Sequence, residues 1–92
     1  MAWYVYVLET ADGTFYTGIT SDLERRETQH NAGRGAKYTA VRRPVKIIAA
    51  WEAQNRSHAL KLEYAFKQLT RLAKTQIISN AEASWHDAPR CR

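Results

Sequence analysis

Hydrophobic and polar positions alternate along the first twenty residues. Residues 3–8 are rich in aromatic and β-branched side chains that point alternately to two faces, as in a β-strand. Asp12 and Gly13 form a strong hairpin signal, and residues 15–20 alternate in the same way. The pattern predicts two neighbouring antiparallel strands. Residues 45–51 form an apolar run that predicts a third strand, buried on both faces.

A helix is predicted directly after the hairpin. Ser21 and Glu24 have the spacing of a capping box, in which each side chain satisfies a free backbone amide of the other. The helix should run to about Ala32, because Gly33 suits the left-handed conformation that ends helices. Residues 34–43 contain glycine, small and basic residues without a clear period. They are therefore either a loop or a short helix.

Helical periodicity returns in the second half of the chain. Asn55 or Ser57 caps the next helix, and Thr70 caps a further short helix through Ile78, ending near Asn80. One face of the longer helix is apolar and should be buried; it contains Ala59, Leu62, Phe66 and Leu69. Together these elements predict a single α/β (α+β) domain: a small, mainly antiparallel three-stranded sheet flanked by helices.

Composition limits the domain count and the cellular compartment. A chain of 92 residues with 45% hydrophobic residues is long enough for one core. We expect one domain over residues 1–80 and a polar, loosely ordered tail over residues 81–92. No apolar run is long enough for a membrane span, and no secretory signal opens the chain. Cys91 is the only cysteine, which excludes an intrachain disulfide. These features predict a cytoplasmic protein without a membrane partner.

The net charge of +5 is concentrated in one segment. Residues 24–46 hold seven basic and two acidic side chains, whereas the rest of the chain holds seven of each. A local positive patch suits the phosphate backbone of a nucleic acid. The alternative is a solvated surface that binds nothing.

Residues at characteristic spacing carry a family resemblance. Tyr6 ends the triplet of residues 4–6, Gly18 ends the triplet Tyr-Thr-Gly, Arg26 follows eight residues after Gly18, and Glu63 lies on a later helix. This arrangement resembles the GIY-YIG nuclease domain over most of residues 2–70. It is most similar to the small stand-alone (UPF0213-like) members and to the catalytic domain of structure-specific endonucleases. Tyr4 stands where the first triplet of the family has glycine.

The resemblance implies a metal-dependent endonuclease that hydrolyses DNA, in DNA repair or in the processing of branched DNA. It implies one divalent ion, Mg²⁺ or Mn²⁺, with Glu63 as the metal ligand. The catalytic residues that it implies are Tyr6, Tyr16, Arg26, His30 and Glu63. The substrate-binding residues are Gly18, Arg25, Lys37, Tyr38, Thr39, Arg42 and Arg43. The expected partner is branched or single-stranded DNA, with RNA left open, and the expected state is a nucleoid-associated monomer or weak homodimer.

Each candidate residue could take part in catalysis, or it could have an ordinary role in the fold or on the surface. A tyrosine with a pKa near 10 is a poor base unless Arg26, His30 or a metal stabilises its phenolate. Tyr6 could instead be an ordinary strand aromatic. Arg26 could clamp phosphate oxygens, or it could pair with Asp22 on the helix surface.

The same choice applies to the remaining candidates. Glu63 could hold a hard cation, or it could form an i,i+4 ion pair with Lys67. His30 could contact phosphate or tune Tyr6, or it could be a plain helix residue. Tyr38 could stack on an unpaired base, as in proteins that bind single strands.

Two other functions remain open at this point. Tyr4 could crowd the site, which would leave a nucleic-acid-binding module with weak cleavage or none. The basic patch could instead bind an acidic protein partner.

Overall fold

The hairpin predicted near the start of the chain forms, and a third strand completes an antiparallel sheet in the order β2-β1-β3. The structure is a computed structural model that describes residues 2–79, so the predicted tail at 81–92 lies outside the described residues. The elements are β1 (Trp3–Glu9), β2 (Phe15–Thr20), α1 (Leu23–Asn31), α2 (Lys37–Ala40), β3 (Lys46–Ala53), α3 (Arg56–Lys67) and α4 (Arg71–Ser79). The predicted α+β architecture is confirmed.

The central strand places Tyr6 between two small residues. Tyr6 pairs with Gly18 on β2 and with Ala50 on β3. Because residues opposite each other share a face of the sheet, the tyrosine ring has no large neighbour directly across either ladder.

Alternation along β1 separates two hydrophobic clusters on opposite faces of the sheet. Val5 and Val7 pack with buried residues of β3 and of α3, including Phe66. Tyr6 and Leu8 pack on the other face with Val45 and with partly buried neighbours that include Leu23 of α1. The buried stripe is confirmed at Ala59, Leu62 and Phe66, whereas Leu69 lies beyond the end of α3 and is partly buried. On the other face of the sheet, α1 covers Tyr6.

Two side chains of α1 attach the helix to the free edge of β3 and to Val45, the residue before this strand. The amide of Asn31 donates to the carbonyl oxygen of Val45 at 2.9 Å, and its oxygen accepts the Val45 N–H at 2.8 Å. A carboxylate oxygen of Glu27 accepts the Ile47 N–H at 2.7 Å. These bonds satisfy backbone groups that an edge strand otherwise leaves open. They also fix the rotation of α1 about its axis.

The caps differ from the prediction at one position. The predicted capping box of Ser21 and Glu24 is wrong, because α1 is capped by Asp22, whose carboxylate accepts the Arg25 N–H at 3.1 Å. The helix begins at Leu23, so the cap position falls one residue after the serine. The left-handed stop at Gly33 is confirmed by its φ of 82°.

The later caps agree with the sequence. Asn55 caps α3, since its side-chain oxygen accepts the His58 N–H at 2.8 Å. Thr70 precedes α4, and its hydroxyl oxygen accepts the Ala73 N–H at 3.1 Å. Both contacts follow the general preference for small polar residues at helix starts.

The segment left open as a loop or a short helix contains the four-residue helix α2. The strand β3 ends at Ala53, two residues later than predicted, and lies at the edge of the sheet. The prediction that it is buried on both faces is wrong for Lys46, which is exposed. Over residues 2–79, no helix has both the length and the apolar character that a bilayer crossing requires.

We expect Asp22→Ala to destabilise the domain by about 1 kcal/mol, because it removes the acceptor at the start of α1. For a domain of this size, the melting temperature should fall by about 4–8 °C. Thermal unfolding of Asp22→Ala and of the control Ser21→Ala measures the difference. An equal or larger loss in Ser21→Ala would contradict the assignment of the cap.

Candidate active site

The hydroxyl of Tyr6 lies at the centre of a buried hydrogen-bonded group. The Nε of Arg26 donates to this oxygen at 3.1 Å, and the Nε2 of His30 lies 2.9 Å from it. A β-carbon at Gly18 would lie 2.5 Å from the same oxygen, which is closer than real contacts allow. Gly18 is therefore required for the tyrosine to reach its partners. We call Tyr6, Gly18, Arg26 and His30 the Tyr6 site.

The helix α1 presents two members of the Tyr6 site together. Arg26 and His30 are four residues apart, so they lie on one face of the helix. The bonds from Glu27 and Asn31 to β3 hold the neighbouring face and turn this pair towards β1. The guanidinium also donates from Nη1 to the side-chain oxygen of Gln29 at 3.2 Å. The predicted alternative, a surface ion pair of Arg26 with Asp22, is not found among residues 2–79.

His30 is fully buried and held on every side. Its Nδ1 lies 2.8 Å from the hydroxyl oxygen of Thr39, opposite the contact to Tyr6. The ring of Tyr16 meets it edge-on, with 5.3 Å between ring centroids. A β-carbon at Gly35 would lie 2.1 Å from Nδ1, so the imidazole packs directly on the backbone there. Side chains from β1, β2, α1 and α2 thus converge on one histidine.

Burial sets the protonation states of the site. Burial is the main cause that raises the pKa of Tyr6 above its usual 10. The hydrogen bond from Arg26 and the charge of Arg26 lower this pKa in part. Burial, followed by the charge of Arg26, lowers the pKa of His30 to about 4. Both side chains are therefore neutral near pH 7.

Glu63 lies on α3, outside the hydrogen bonds of the Tyr6 site. It pairs with Lys67 at 3.3 Å, as the structural alternative predicted, and its side chain is 18% exposed. Its negative charge is among the smaller causes that raise the pKa of Tyr6, so it acts on the same site electrostatically.

A divalent ion could bind at Glu63 as a single protein ligand, with substrate and water completing its coordination. No group of three His, Cys, Asp or Glu side chains suited to metal binding occurs over residues 2–79. Mg²⁺ keeps several waters and often binds through one carboxylate together with substrate phosphate. A partly exposed glutamate suits an ion completed by substrate and does not form an all-protein cage.

Tyr16 and Tyr38 extend the site along the surface. Their rings stack with 6.2 Å between centroids, and the guanidinium of Arg42 covers Tyr38 at 3.9 Å from the ring centre. Arg42 also pairs with Asp12 at 3.2 Å. Stacking of an unpaired base on Tyr38 would therefore require Arg42 to move away from the ring.

Comparison with known proteins identifies the family. The model of the GIY-YIG catalytic domain matches residues 2–76. The chain belongs to the GIY-YIG family. Its UPF0213 relatives include DP2720 from Desulfotalea psychrophila, 46% identical over 82 residues, which cover 88% of this chain and 74% of that protein. SAG0778 from Streptococcus agalactiae is 49% identical over 75 residues, covering 82% and 85% of the two chains.

Two solved structures of similar proteins have the same fold as this chain. The solution NMR structure of UPF0213 protein BH0048 from Bacillus halodurans has a TM-score of 0.58 and 40% identity, covering 95% of this chain and 93% of that one. The solution NMR structure of EF2693 from E. faecalis has a TM-score of 0.60 and 41% identity, covering 100% and 94%. The GIY-YIG family is a nuclease family, and the chain is a small member of it.

Tyr4, which stands where the resemblance places a glycine, lies outside the hydrogen bonds of the Tyr6 site. Tyr4 pairs with Thr20 and Glu52, two residues along β1 from Tyr6. Among residues 2–79, Tyr4 has no hydrogen bond or ring contact with Arg26 or His30.

The basic residues among the substrate-binding candidates separate into two groups. Arg42 donates to the Tyr38 carbonyl at 2.9 Å, and Arg43 donates to the Ala40 carbonyl at 2.8 Å, so both stabilise the segment around α2. Arg25 and Lys37 are exposed and have no ion-pair partner over residues 2–79. Arg25 and Arg26 line an open cavity of about 250 Å³ beside Trp3.

Sequence reasoning missed the contact between His30 and Thr39. The two residues are nine positions apart and are joined by a segment without periodicity, so no spacing rule pairs them. Gly35 offered a weak signal, because a glycine within a basic loop can mark a close backbone approach. Thr39 and the backbone at Gly35 therefore hold the imidazole of His30 in place within the Tyr6 site.

Acidification should destabilise the domain through His30. The unfolded histidine titrates near 6.5 and the folded one at about 4, so between these values the unfolded chain binds more protons. The free energy of unfolding should therefore fall by about 2 kcal/mol from pH 7 to pH 5. Urea unfolding at both values, for the natural chain and for His30→Gln, measures this difference. An identical pH dependence in the two proteins would show that His30 does not carry the effect.

Proposed function

We propose that this chain is a metal-dependent endonuclease that hydrolyses DNA phosphodiester bonds. The observation that supports this most is the convergence of Tyr6, Arg26 and His30 on one buried oxygen. The three residues supply a proton donor that can become a base, a permanent cation and a neutral proton acceptor. Hydrolysis of a phosphodiester needs each of these functions.

His30 is the group that activates Tyr6. The Nε–H of Arg26 can only donate, so the tyrosine oxygen accepts this bond and directs its own proton to Nε2 of His30. Transfer breaks the tyrosine O–H bond and forms an N–H bond at Nε2. Arg26 and the imidazolium of His30 stabilise the phenolate as it forms. Once the substrate has drawn Arg26 outwards, the phenolate takes a proton from the attacking water, and the extra proton on His30 reaches solvent through the uncovered Tyr6 oxygen.

Both partners of this transfer are neutral in the free protein. Burial raises the pKa of Tyr6 and lowers the pKa of His30 to about 4, so only a small fraction of the free protein holds the ionised pair. The proton transfer is therefore uphill and forms part of the activation barrier of the reaction.

Arg26 links substrate binding to exposure of the base. Tyr6 is fully buried, and Arg26 donates directly to its hydroxyl. A phosphate that draws the guanidinium outwards would uncover the oxygen and bring the reacting bond next to it. Arg26 then stabilises the negative charge that develops on the phosphoryl oxygens.

Glu63 would hold the divalent ion, Mg²⁺ or Mn²⁺. The bound ion supplies charge neutralisation for the phosphate and for the leaving oxygen. Lys67, which pairs with Glu63 at 3.3 Å, would be displaced from the carboxylate when the ion binds.

The DNA backbone would follow the exposed basic residues around α1 and α2. Arg25, Arg34, Lys37 and Lys46 are exposed and provide four positive charges outside the ion pairs of residues 2–79. The cavity beside Arg25 would receive a nucleotide that flanks the cut. We expect branched or single-stranded DNA, a role in DNA repair or processing, and a monomer or weak homodimer.

Binding without cleavage is the second candidate function. Its support is the complete burial of the Tyr6 hydroxyl, which keeps water away from the base unless Arg26 moves. In this alternative, the basic surface holds DNA and the buried site only stabilises the fold.

Replacing the proposed metal ligand Glu63 distinguishes cleavage of DNA from binding alone. The natural chain should cut branched DNA in Mg²⁺ or Mn²⁺ and stop in EDTA, and Glu63→Gln should lower the rate by roughly 10²–10³-fold. Cleavage of an end-labelled junction under single-turnover conditions measures the rate. Lys67→Met is the matched control, because it breaks the same ion pair and leaves the carboxylate intact.

Three outcomes decide between these interpretations. Loss of cleavage in Glu63→Gln alone supports metal binding by the carboxylate. Equal loss in Lys67→Met would show that the ion pair itself is needed. Binding of DNA with no cutting in either metal would favour the binding module.

A further inference from the structure

Thr39 contacts His30 from the side opposite Tyr6, inside the core. Its hydroxyl oxygen lies 2.8 Å from Nδ1 and 3.1 Å from the carbonyl oxygen of Ala36. Thr39, His30 and Tyr6 are all fully buried, so water does not reach this chain of bonds. The chain runs from Arg26 through Tyr6, His30 and Thr39 to a backbone carbonyl.

Only one placement of the hydrogens satisfies every group in this chain. The tyrosine oxygen accepts from Arg26, so its proton needs an acceptor, and Nε2 of His30 is its only other hydrogen-bond neighbour among the described residues. Nε2 must then be unprotonated, and a neutral imidazole carries its proton on Nδ1. Nδ1 donates to Thr39, whose own proton goes to the Ala36 carbonyl.

The reverse placement leaves a buried donor without a partner. If Nε2 carried the proton, the tyrosine oxygen would accept from both Arg26 and His30, and its own hydrogen would have no acceptor over residues 2–79. An unpaired buried polar group is costly. Neutral histidine in water favours the proton on Nε2, so the protein must impose the other tautomer.

We propose that Thr39 is a positioning residue that fixes His30 as the Nδ1–H tautomer and thereby makes Nε2 the acceptor of the Tyr6 proton. This inference rests on the proposed nuclease function for its effect on rate, but the tautomer itself is a property of the free protein. In this role Thr39 acts through His30 from inside the core, whereas the sequence analysis expected it to contact substrate.

The segment around Thr39 is fastened well enough to act as a fixed support. The Ala36 carbonyl also accepts the Ala40 N–H at 2.9 Å, which closes the turn of α2 around the hydroxyl. Tyr38 donates to the Thr14 hydroxyl at 2.9 Å, which ties α2 to the hairpin of β1 and β2. The imidazole packs on Gly35 from the same segment, so the ring cannot flip without moving the backbone.

The groups that face His30 favour its neutral form. Tyr6 from β1, Tyr16 from β2 and Thr39 from α2 are uncharged neighbours, and Arg26 from α1 is positive. No carboxylate forms a hydrogen bond or ion pair with the imidazole among residues 2–79. At neutral pH the imidazole of His30 is therefore uncharged and carries one proton, on either Nδ1 or Nε2.

The test measures the tautomer and the reaction separately. In ¹⁵N-labelled natural protein at pH 7, imidazole nitrogen shifts should show Nδ1 protonated and Nε2 unprotonated for His30. Thr39→Val has nearly the same shape but no hydroxyl, so either tautomer then leaves one buried donor unpaired. The intrinsic preference of histidine should therefore move the proton to Nε2. Thr39→Ser keeps the hydroxyl and should keep the natural tautomer.

Steady-state cleavage of junction DNA by the same three proteins gives the second readout. Thr39→Val should lower kcat by about 10- to 100-fold with an unchanged KM, and Thr39→Ser should restore most of it. A raised KM with an unchanged kcat would instead indicate substrate contact and overturn the positioning role.

The remaining outcomes are also decisive. An Nε2–H tautomer in the natural protein, or an unchanged tautomer in Thr39→Val, would overturn the proposal. If Thr39→Val does not fold, the tautomers of the natural protein and of Thr39→Ser still decide it. If no protein cuts DNA while the tautomers behave as expected, the nuclease function fails and the tautomer assignment stands.

Discussion

The hydroxyl of Tyr6 imposes the constraint on which the rest of the structure depends. It is buried at the centre of the sheet and must be hydrogen-bonded, because an unpaired hydroxyl there would cost about 1–3 kcal/mol. Arg26 and His30 supply its partners, and Gly18 leaves the space that the oxygen occupies. These requirements fix the face of α1 that meets the sheet.

A second set of bonds holds that arrangement from outside the site. Asn31 and Glu27 bind the edge of β3, while Thr39 and the backbone at Gly35 hold the histidine from the other side. Changes in these supporting residues should therefore act on the chemistry without contact to DNA. Under the proposed nuclease function, this support keeps Tyr6, Arg26 and His30 in a common geometry.

Much of this fold could be predicted from local patterns. The two-residue period of β1 and β2, the Asp12-Gly13 turn and the i,i+4 spacing of Arg26 and His30 are local signals that tertiary contacts did not override. The cap of α1 was misplaced because Ser21 and Asp22 are both good caps, and only the start of the helix decides between them. The contact of Thr39 with His30 depends on how a non-periodic segment folds back, which spacing alone cannot reveal.

The role of Tyr6 as the base is tested most directly by single-turnover cleavage of end-labelled branched DNA in Mg²⁺. Tyr6→Phe keeps the buried ring and removes only the hydroxyl, and Tyr64→Phe is the control at a side chain that is 69% exposed. The account predicts a loss of about 10²–10⁴-fold for Tyr6→Phe and none for Tyr64→Phe. Cleavage by Tyr6→Phe at the rate of the natural protein would contradict it.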